Sequence, residues 1–441
     1  MLTSKPHLAR RYEVLWNGKP RTLELPSDRV TAELRFRDLP SLADPASAIV
    51  HALETPIGAL PLRDVAKPGA RVVILVGDRM TDRMIGSRDR LALPILDHLN
   101  SLGVRDGDVT VVYACGMHPH GHARERLGPE VLARVRLVEH EAEDESQLVY
   151  LGVTSRGTPV WVNRVVHEAD VRIGVGEISP VGPAGWCGGG KIVLPGVAGK
   201  DTIEHNHRMV LSPEARLGAI HRNPVRQDIE EAAELARLDY KVDFLVNSDE
   251  QIVSVFGGDF RQEWRAALPL AKEIWTTPME PTDVAVLYPG DTRERYLGAP
   301  VYLGFPIAEA MTRPGGAVVV TMSAAGGWAA SGASGDRFGP GAEMFAQSSE
   351  ELGRRMVRTQ GNVRSLHIAY MGKRAIEARP VFLHCDGYDG AEARSLGFAG
   401  AFSSLDDALA AASERAGRRD ATISCCFPRG IQWRMMPRVS D

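Results

Sequence analysis

The sequence predicts an α/β protein of two domains, each built on a mostly parallel, Rossmann-like sheet. Three observations carry that expectation. The chain has 441 residues, more than one hydrophobic core ordinarily serves. Short apolar, β-branched runs alternate with helical patterns along it, as strands covered on both faces require. A proline-bearing break without periodicity, Thr276-Thr-Pro-Met-Glu-Pro-Thr282, separates two such alternations. The boundaries that follow are an N-terminal α/β domain over 1–275, where the candidate binding segments lie, and a C-terminal Rossmann-like domain over 283–441.

Taken in order, the first segment reads as a hairpin. Tyr12–Trp16 and Arg21–Leu25 flank Asn17-Gly18, a two-residue turn signal. Strands are expected at Arg71–Gly77, Asp108–Cys115 and Asp170–Gly176, and helices at Leu91–Leu102, Arg226–Arg237 and Glu263–Trp275. Beyond the break, strands are expected at Asp283–Tyr288, Gly316–Met322, Ser365–Tyr370, Val381–Cys385 and Ala421–Cys426. Helices are expected there at Gly304–Thr312, Ala342–Thr359, Gly390–Leu396 and Leu405–Ala416.

Composition removes several function classes. The net charge is −4 and no basic block is long enough for a nucleic-acid footprint. The first residues lack an apolar signal core, and no uncharged apolar run approaches a membrane span, so no membrane partner is expected. Five cysteines are an odd number, with neither framework spacing nor a CxxC pair. They read as thiols in a reducing compartment, which makes the expected localisation cytoplasmic.

Two glycine-rich loops, Gly182–Gly190 and Ser323–Gly335, are of the kind that approaches or closes over a ligand, or that stays a flexible surface loop. The first runs into the densest segment of the chain, Gly188-Gly-Gly-Lys-Ile-Val-Leu-Pro-Gly-Val-Ala-Gly-Lys-Asp-Thr-Ile-Glu-His-Asn-His207. A phosphate-binding P-loop is excluded. Its first glycine would fall on Leu194, and Asp201 stands where Ser or Thr must follow Gly199-Lys200. What remains is Lys191 after Gly188, Gly189 and Gly190, and His207 sixteen residues on, after a short strand, a turn and a helix start. A lysine forms covalent adducts with carbonyl-type carbons, and a neutral imidazole is a common metal ligand. Singly, each residue has a plainer reading, as a solvated charge or a satisfied core histidine.

Two clusters lie at expected strand ends. His118, His120 and His122 follow the strand ending at Cys115; they suit acid/base work, metal binding or an exposed polar loop. Asp78-Arg-Met-Thr-Asp-Arg83 follows the strand ending at Gly77. Arg79 and Arg83 there would grip a substrate carboxylate, or pair with surface acids. Three strand ends thus deliver Asp78, His118 and the Gly182–Lys191 segment to one expected crevice.

The run Gly-Gly-Gly-Lys191, Leu-Pro195-Gly196-Val-Ala-Gly199, Thr202-Ile203 and Asn206-His207 resembles the core signature of the lactate racemase family. Asp78, Gly116-Met-His118, Gly-Glu-Ile-Ser-Pro180 and the later Pro-Gly-Gly316 fall in that family's order, so the resemblance covers roughly residues 10–430. It implies a nickel-pincer nucleotide, a pyridinium-3-thioamide-5-thiocarboxylic acid mononucleotide, tethered at Lys191, with His207 as the protein's nickel ligand. It further implies a 2-hydroxy acid substrate racemised or epimerised by hydride transfer, and partner enzymes that make the cofactor. Asp78 and Gly188–Gly190 are expected at the cofactor and His118 as one catalytic histidine.

The substrate end departs from the family pattern. The second histidine's place is Val181, which cannot move a proton. The acid/base partner is then drawn from His205, Glu177, His120 or Asp82. The carboxylate-binding charge falls to Arg79, Arg83, Arg293 or Arg295, because the usual Thr-Arg-Pro and Tyr-Gln-x-x-Lys runs are missing. Plain lactate is therefore not the expected substrate. Two other readings stay open: a pincer-binding homologue with a non-racemising redox or carrier role, and a metal-dependent hydrolase using His118, His120, His122, His205 and His207.

Overall fold

The computed structural model describes residues 9–78, 89–118, 121, 123–328, 340–358 and 363–438. The described chain divides into two compact units. One comprises Arg37–Ser179 with Pro183–Ile274; the other comprises Met1–Phe36, Pro180–Gly182 and Trp275–Asp441.

The chain opens with the expected hairpin. β1 (Ala9–Trp16) and β2 (Lys19–Pro26) pair antiparallel around Asn17 and Gly18, both at positive φ. β3 (Val30–Glu33) follows.

The first-named unit then builds α1 (Pro45–Glu54), β4 (Val72–Gly77), α2 (Asp89–Ser101), β5 (Val109–Ala114), β6 (Arg136–Glu139) and β7 (Val171–Glu177). It continues through α3 (Lys200–Arg208), α4 (Pro224–Leu235), β8 (Tyr240–Val246), β9 (Ile252–Gly258) and α5 (Gln262–Trp275). Local chemistry starts the helices where they start. Asp44 caps α1 by accepting the Ser47 amide at 3.0 Å, and Asn223 caps α4 ahead of Pro224. The sheet runs β9-β8-β7-β4-β5-β6, parallel except for β9. Val72, Val73, Ile74, Leu75 and Val76 are all buried, as a strand covered on both faces demands.

The second unit builds β10 (Thr282–Leu287), α6 (Gly304–Met311), β11 (Thr312–Thr321), α7 (Val363–Ala378), β12 (Val381–His384), β13 (Gly400–Phe402), α8 (Leu405–Arg415) and β14 (Ile423–Cys426). Its sheet is all parallel in the order β13-β12-β11-β10-β14-β3. The presence of β3 changes the expected boundary. Residues 1–36 leave the span 1–275, because β3 pairs with β14 and Val14, Leu23 and Leu25 of the hairpin share a core with Val284, Val286 and Ile423.

Two further expectations are corrected. Ser365–Tyr370, expected as a strand, lies inside α7: no proline interrupts the pattern until Pro380, and Gly372 is carried within the helix, so the run extends to helical length. The single helix expected over Ala342–Thr359 is two, Ala342–Ala346 and Ser349–Arg358, and Thr359 lies outside the described residues. Ser348 and Glu351 form a reciprocal cap that begins the second, with the Glu351 amide on Ser348 Oγ at 3.2 Å and the Ser348 amide on Glu351 at 2.8 Å.

At the end of β12, His384 is fully buried, hydrogen-bonded through Nδ1 to Thr321 Oγ1 at 2.7 Å and packed at a tilt against the Trp16 ring. Burial, and then the nearby Arg21, push its pKa down to about 4. The unfolded chain therefore holds this proton more tightly than the native one. The stabilisation is fully present above about pH 6.5 and is lost as the pH falls towards 4, reaching about 3 kcal/mol. Urea melts of the wild type across that window should show the loss, and His384→Gln should flatten it; equal slopes would exclude His384 as the source.

Candidate active site

The first-named unit's strand order reverses between β4 and β7. From β4 the chain proceeds outward through β5 and β6; from β7 it proceeds the other way through β8 and β9. The crevice of such a sheet opens at that reversal, beyond the carboxyl ends of the strands. Asp78 directly follows β4, and Glu177, buried, is the last residue of β7. Val76 pairs with Val175, so two residues further on these two carboxylates stand at the same level.

His118 arrives from β5. Its Nδ1 donates to Asp78 Oδ2, with both side chains half-buried. A carboxylate on Nδ1 fixes the tautomer and leaves Nε2 as the basic nitrogen, the arrangement a general base requires. The turn that aims it is short: the His118 amide returns to the Cys115 carbonyl at 2.9 Å. Gly116 takes φ +55°, donates its amide to the Gly196 carbonyl at 2.9 Å, and lies so near Pro195 that a Cβ would stand 3.0 Å from that carbonyl oxygen. The loop of His118 is thereby fastened to the segment running from Lys191 to His207.

That segment begins with a 3-10 turn, Gly189–Ile192, where a strand was expected. Ile192 rests on the sheet at glycines; a Cβ on Gly174 would lie 2.8 Å from it. Lys191 is half-buried at the top of this turn. The three glycines before it pack closely against protein on the side where a Cβ would stand. A Cβ on Gly188 would meet Ile178, Asp243 and Trp264 within 3 Å, and one on Gly190 would lie 2.8 Å from Ala233. Gly188 also takes φ +84°, so Gly188→Ala combines backbone strain with overpacking and should cost about 2–4 kcal/mol in a denaturant melt. A change below about 0.5 kcal/mol would remove this account of the glycines.

Further along, α3 carries two histidines on different faces, since two residues turn a helix by about 200°. His207 is half-buried; His205 is exposed, with Nδ1 on the Asp201 carbonyl of its own helix at 2.7 Å. Glu204 is buried beside Arg208, 3.6 Å away.

Sequence reasoning missed the charged groups beneath the turn. Lys241, Asp243, Arg226 and Glu263 are all buried. Asp243 pairs with Lys241 and accepts the Gly189 amide at 2.6 Å. Arg226 donates to the carbonyls of Trp186 and, at 3.1 Å, Gly188. Burial pushes its pKa down, and burial followed by the Asp243 charge pushes Glu263 well above the usual carboxyl range. The signal was present in Lys241-Val-Asp243, two charges on one face of an otherwise apolar run.

The structure thus brings Asp78, His118 and Glu177 to one sheet edge and fastens the Lys191 segment to it. His205 points to solvent. Arg79, Arg83, Asp82, His120 and His122 lie outside the described residues. Val181 is buried, and Arg295, with an exposed side chain, belongs to the other unit, where its carbonyl accepts the Gly326 amide at 2.7 Å. Among the described residues no three His, Cys, Asp or Glu groups are placed to hold a metal ion by themselves. His207 and Lys191 lie on the one segment so fastened.

The lactate racemase N-terminal domain model matches residues 17–218. The lactate racemase of Thermoanaerobacterium thermosaccharolyticum is 26% identical over 326 residues, covering 71% of this chain and 75% of that one. That of Lactiplantibacillus plantarum is 28% identical over 288 residues, covering 63% and 66%. In fold, the chain is similar to the apoprotein of the T. thermosaccharolyticum lactate racemase, with a TM-score of 0.81 at 23% identity over 98% of this chain and 100% of that one. It is also similar to a Thermotoga maritima protein, with a TM-score of 0.56 at 15% identity over 84% and 95%. The family model and the relatives define the class, an isomerase of the racemase type. Over residues 17–218 the chain matches the lactate racemase N-terminal domain, and along its length it has the fold of a lactate racemase.

Proposed function

We propose that this enzyme is a nickel-pincer nucleotide-dependent racemase or epimerase of a 2-hydroxy acid other than lactate. Lys191 is the tether, His207 the protein's metal ligand, and cofactor-making enzymes are the partners that load it. The observation that supports this reading most directly is the Asp78–His118 pair on a loop hydrogen-bonded to the Lys191–His207 segment. When bound, the pincer group supplies a reversible hydride acceptor for the substrate's C2. The residues do the remainder. His118 Nε2 takes the hydroxyl proton and returns it, while Asp78 orients the ring and stabilises the imidazolium. Arg79, Arg83 and Arg295 are the candidates for holding the substrate carboxylate, a bidentate task suited to guanidinium.

Inversion needs proton transfer on both faces of the planar keto acid, and Val181 supplies none. Glu177 takes that place in this reading: it ends the strand beside β4, level with Asp78, whereas His205 faces solvent. A cytoplasmic location belongs to the same proposal, supported by five cysteines that form no disulfide and by the lack of any described helix long and apolar enough to cross a membrane.

The test is to co-express the chain with the pincer-making enzymes, weigh it intact, count nickel, and follow C2 deuterium exchange and optical rotation over a panel of 2-hydroxy acids. An adduct on Lys191 with about one nickel per chain, plus inversion of one panel member, is expected. An unmodified chain beside a loaded lactate racemase control would overturn the cofactor assignment. Val181 favours one competing reading, a one-sided redox protein; oxidation of a single enantiomer without inversion would establish that instead.

A further inference from the structure

The family-model match ends at residue 218. What holds the two gripping residues in place lies beyond it, on α4. We infer that α4 is a gauge setting the separation of Lys191 and His207, with Arg226 and Asp228 as positioning residues for the two ends of the grip. The inference rests on the assignment of those two residues proposed above.

Arg226 serves the lysine end. Its guanidinium takes the carbonyls of Trp186 and Gly188 and stacks on Trp264, 4.3 Å from the ring centre. The Trp264 indole donates to the Cys187 carbonyl between them at 2.8 Å, and Asp243 takes the Gly189 amide. Three successive carbonyls and the next amide, immediately ahead of Gly190 and Lys191, are therefore each held by a side chain from α4, α5 or β8. Gly190 itself packs against Ile229 and Ala233 of α4.

Asp228 serves the histidine end. It is fully buried and accepts from Asn206 Nδ2 at 2.9 Å, Thr154 Oγ1 at 2.6 Å and Thr158 Oγ1 at 3.0 Å. Asn206, also fully buried, gives its other hydrogen to the Val225 carbonyl of α4 at 3.1 Å, and its next neighbour in the chain is His207. Arg226 and Asp228 leave the helix on opposite sides, about 200° apart. One rigid rod thus touches the turn that carries Lys191 and the helix that carries His207.

A guanidinium buried with backbone carbonyls as its hydrogen-bond partners costs desolvation, which the lowered pKa of Arg226 records. An apolar side chain of similar volume would fill the space at less cost. What it would not do is fix two carbonyls in one plane, and that is a geometric task.

The test separates the two ends. The full chain is co-expressed with the pincer-making enzymes as wild type, Arg226→Met, Arg226→Lys, Asp228→Asn and Leu99→Ala, the last a core truncation remote from α4. Adduct on Lys191 is read by intact mass, nickel loss by chelator competition, and apo-protein stability by melting. Arg226→Met should lower adduct yield at least tenfold, with Arg226→Lys between it and wild type. Asp228→Asn should keep the adduct and lose nickel at least tenfold faster. Leu99→Ala should lower the melting temperature without separating adduct from nickel. If Arg226→Met does not fold, Arg226→Lys carries that arm, and wild-type loading in it overturns the gauge. A loaded wild type with variants that change adduct and nickel in one proportion, as Leu99→Ala does, also overturns it while leaving the tether assignment standing. A wild type without adduct removes both.

Discussion

Lys191→Ala should abolish covalent retention of the nucleotide: intact mass returns to that of the bare chain, nickel falls to background, and racemisation goes with it. On the proposed assignment the effect is all-or-none, because the bond would be made to one amine, and no alternative amine shares its position on the turn capped by Gly188 and resting on Ile192. Lys191→Arg sharpens the expectation. It keeps length and charge but cannot form the same thioamide, so it should behave as the alanine variant does. A Lys191→Arg protein holding wild-type cofactor would show that charge, not a covalent link, is what this position provides.

His118→Gln should lower kcat/KM by about 10²–10⁴, the usual share of a positioned acid/base. Cofactor loading should be unchanged, because His118 belongs to the β5 loop and not to the grip. Asp78→Asn addresses the same dyad differently. Its carboxylate favours the imidazolium, so without it the ring loses its proton at lower pH and the acid limb of the kcat/KM profile moves to lower pH. The plateau also falls, because the amide no longer stabilises the imidazolium during proton transfer. An unmoved acid limb would assign that limb to another group.

Much of the fold was readable from pattern because the parallel strands are mostly apolar on both faces: β4, β5 and β14 are such runs, and β7 and β10 carry buried charges only near their ends, Arg172 and Glu177 in the one and Asp283 in the other. β8 was not, since Lys241 and Asp243 interrupt an equally buried strand with charges that only tertiary contacts explain. β9 is a half-exposed edge with glycines at its end, and the periodicity of such strands is weak. In the site, Lys191, His207, Asp78 and His118 were legible by position after strand ends and within one dense motif. The inward packing of Gly188–Gly190 was not, because a glycine that clears a ligand and one that clears a neighbouring helix look alike in sequence. Nor were Arg226 and Asp228, which read as ordinary surface positions of an amphipathic helix.

The pairing of β3 with β14 has a consequence for biosynthesis. Arg29 finds its partner, the Ala421 carbonyl, 392 residues later, and β3 joins a sheet whose adjoining strand is synthesised near the end of the chain. The unit carrying Lys191 and His207 is complete once Ile274 has emerged, apart from three residues that belong elsewhere. Translation therefore imposes an order: the unit carrying Lys191 and His207 has all its strands once Ile274 is made, while β3 of the other waits unpaired until β14 follows. During that interval the hairpin's apolar face and the edge of β3 lack the partners they have in the folded unit.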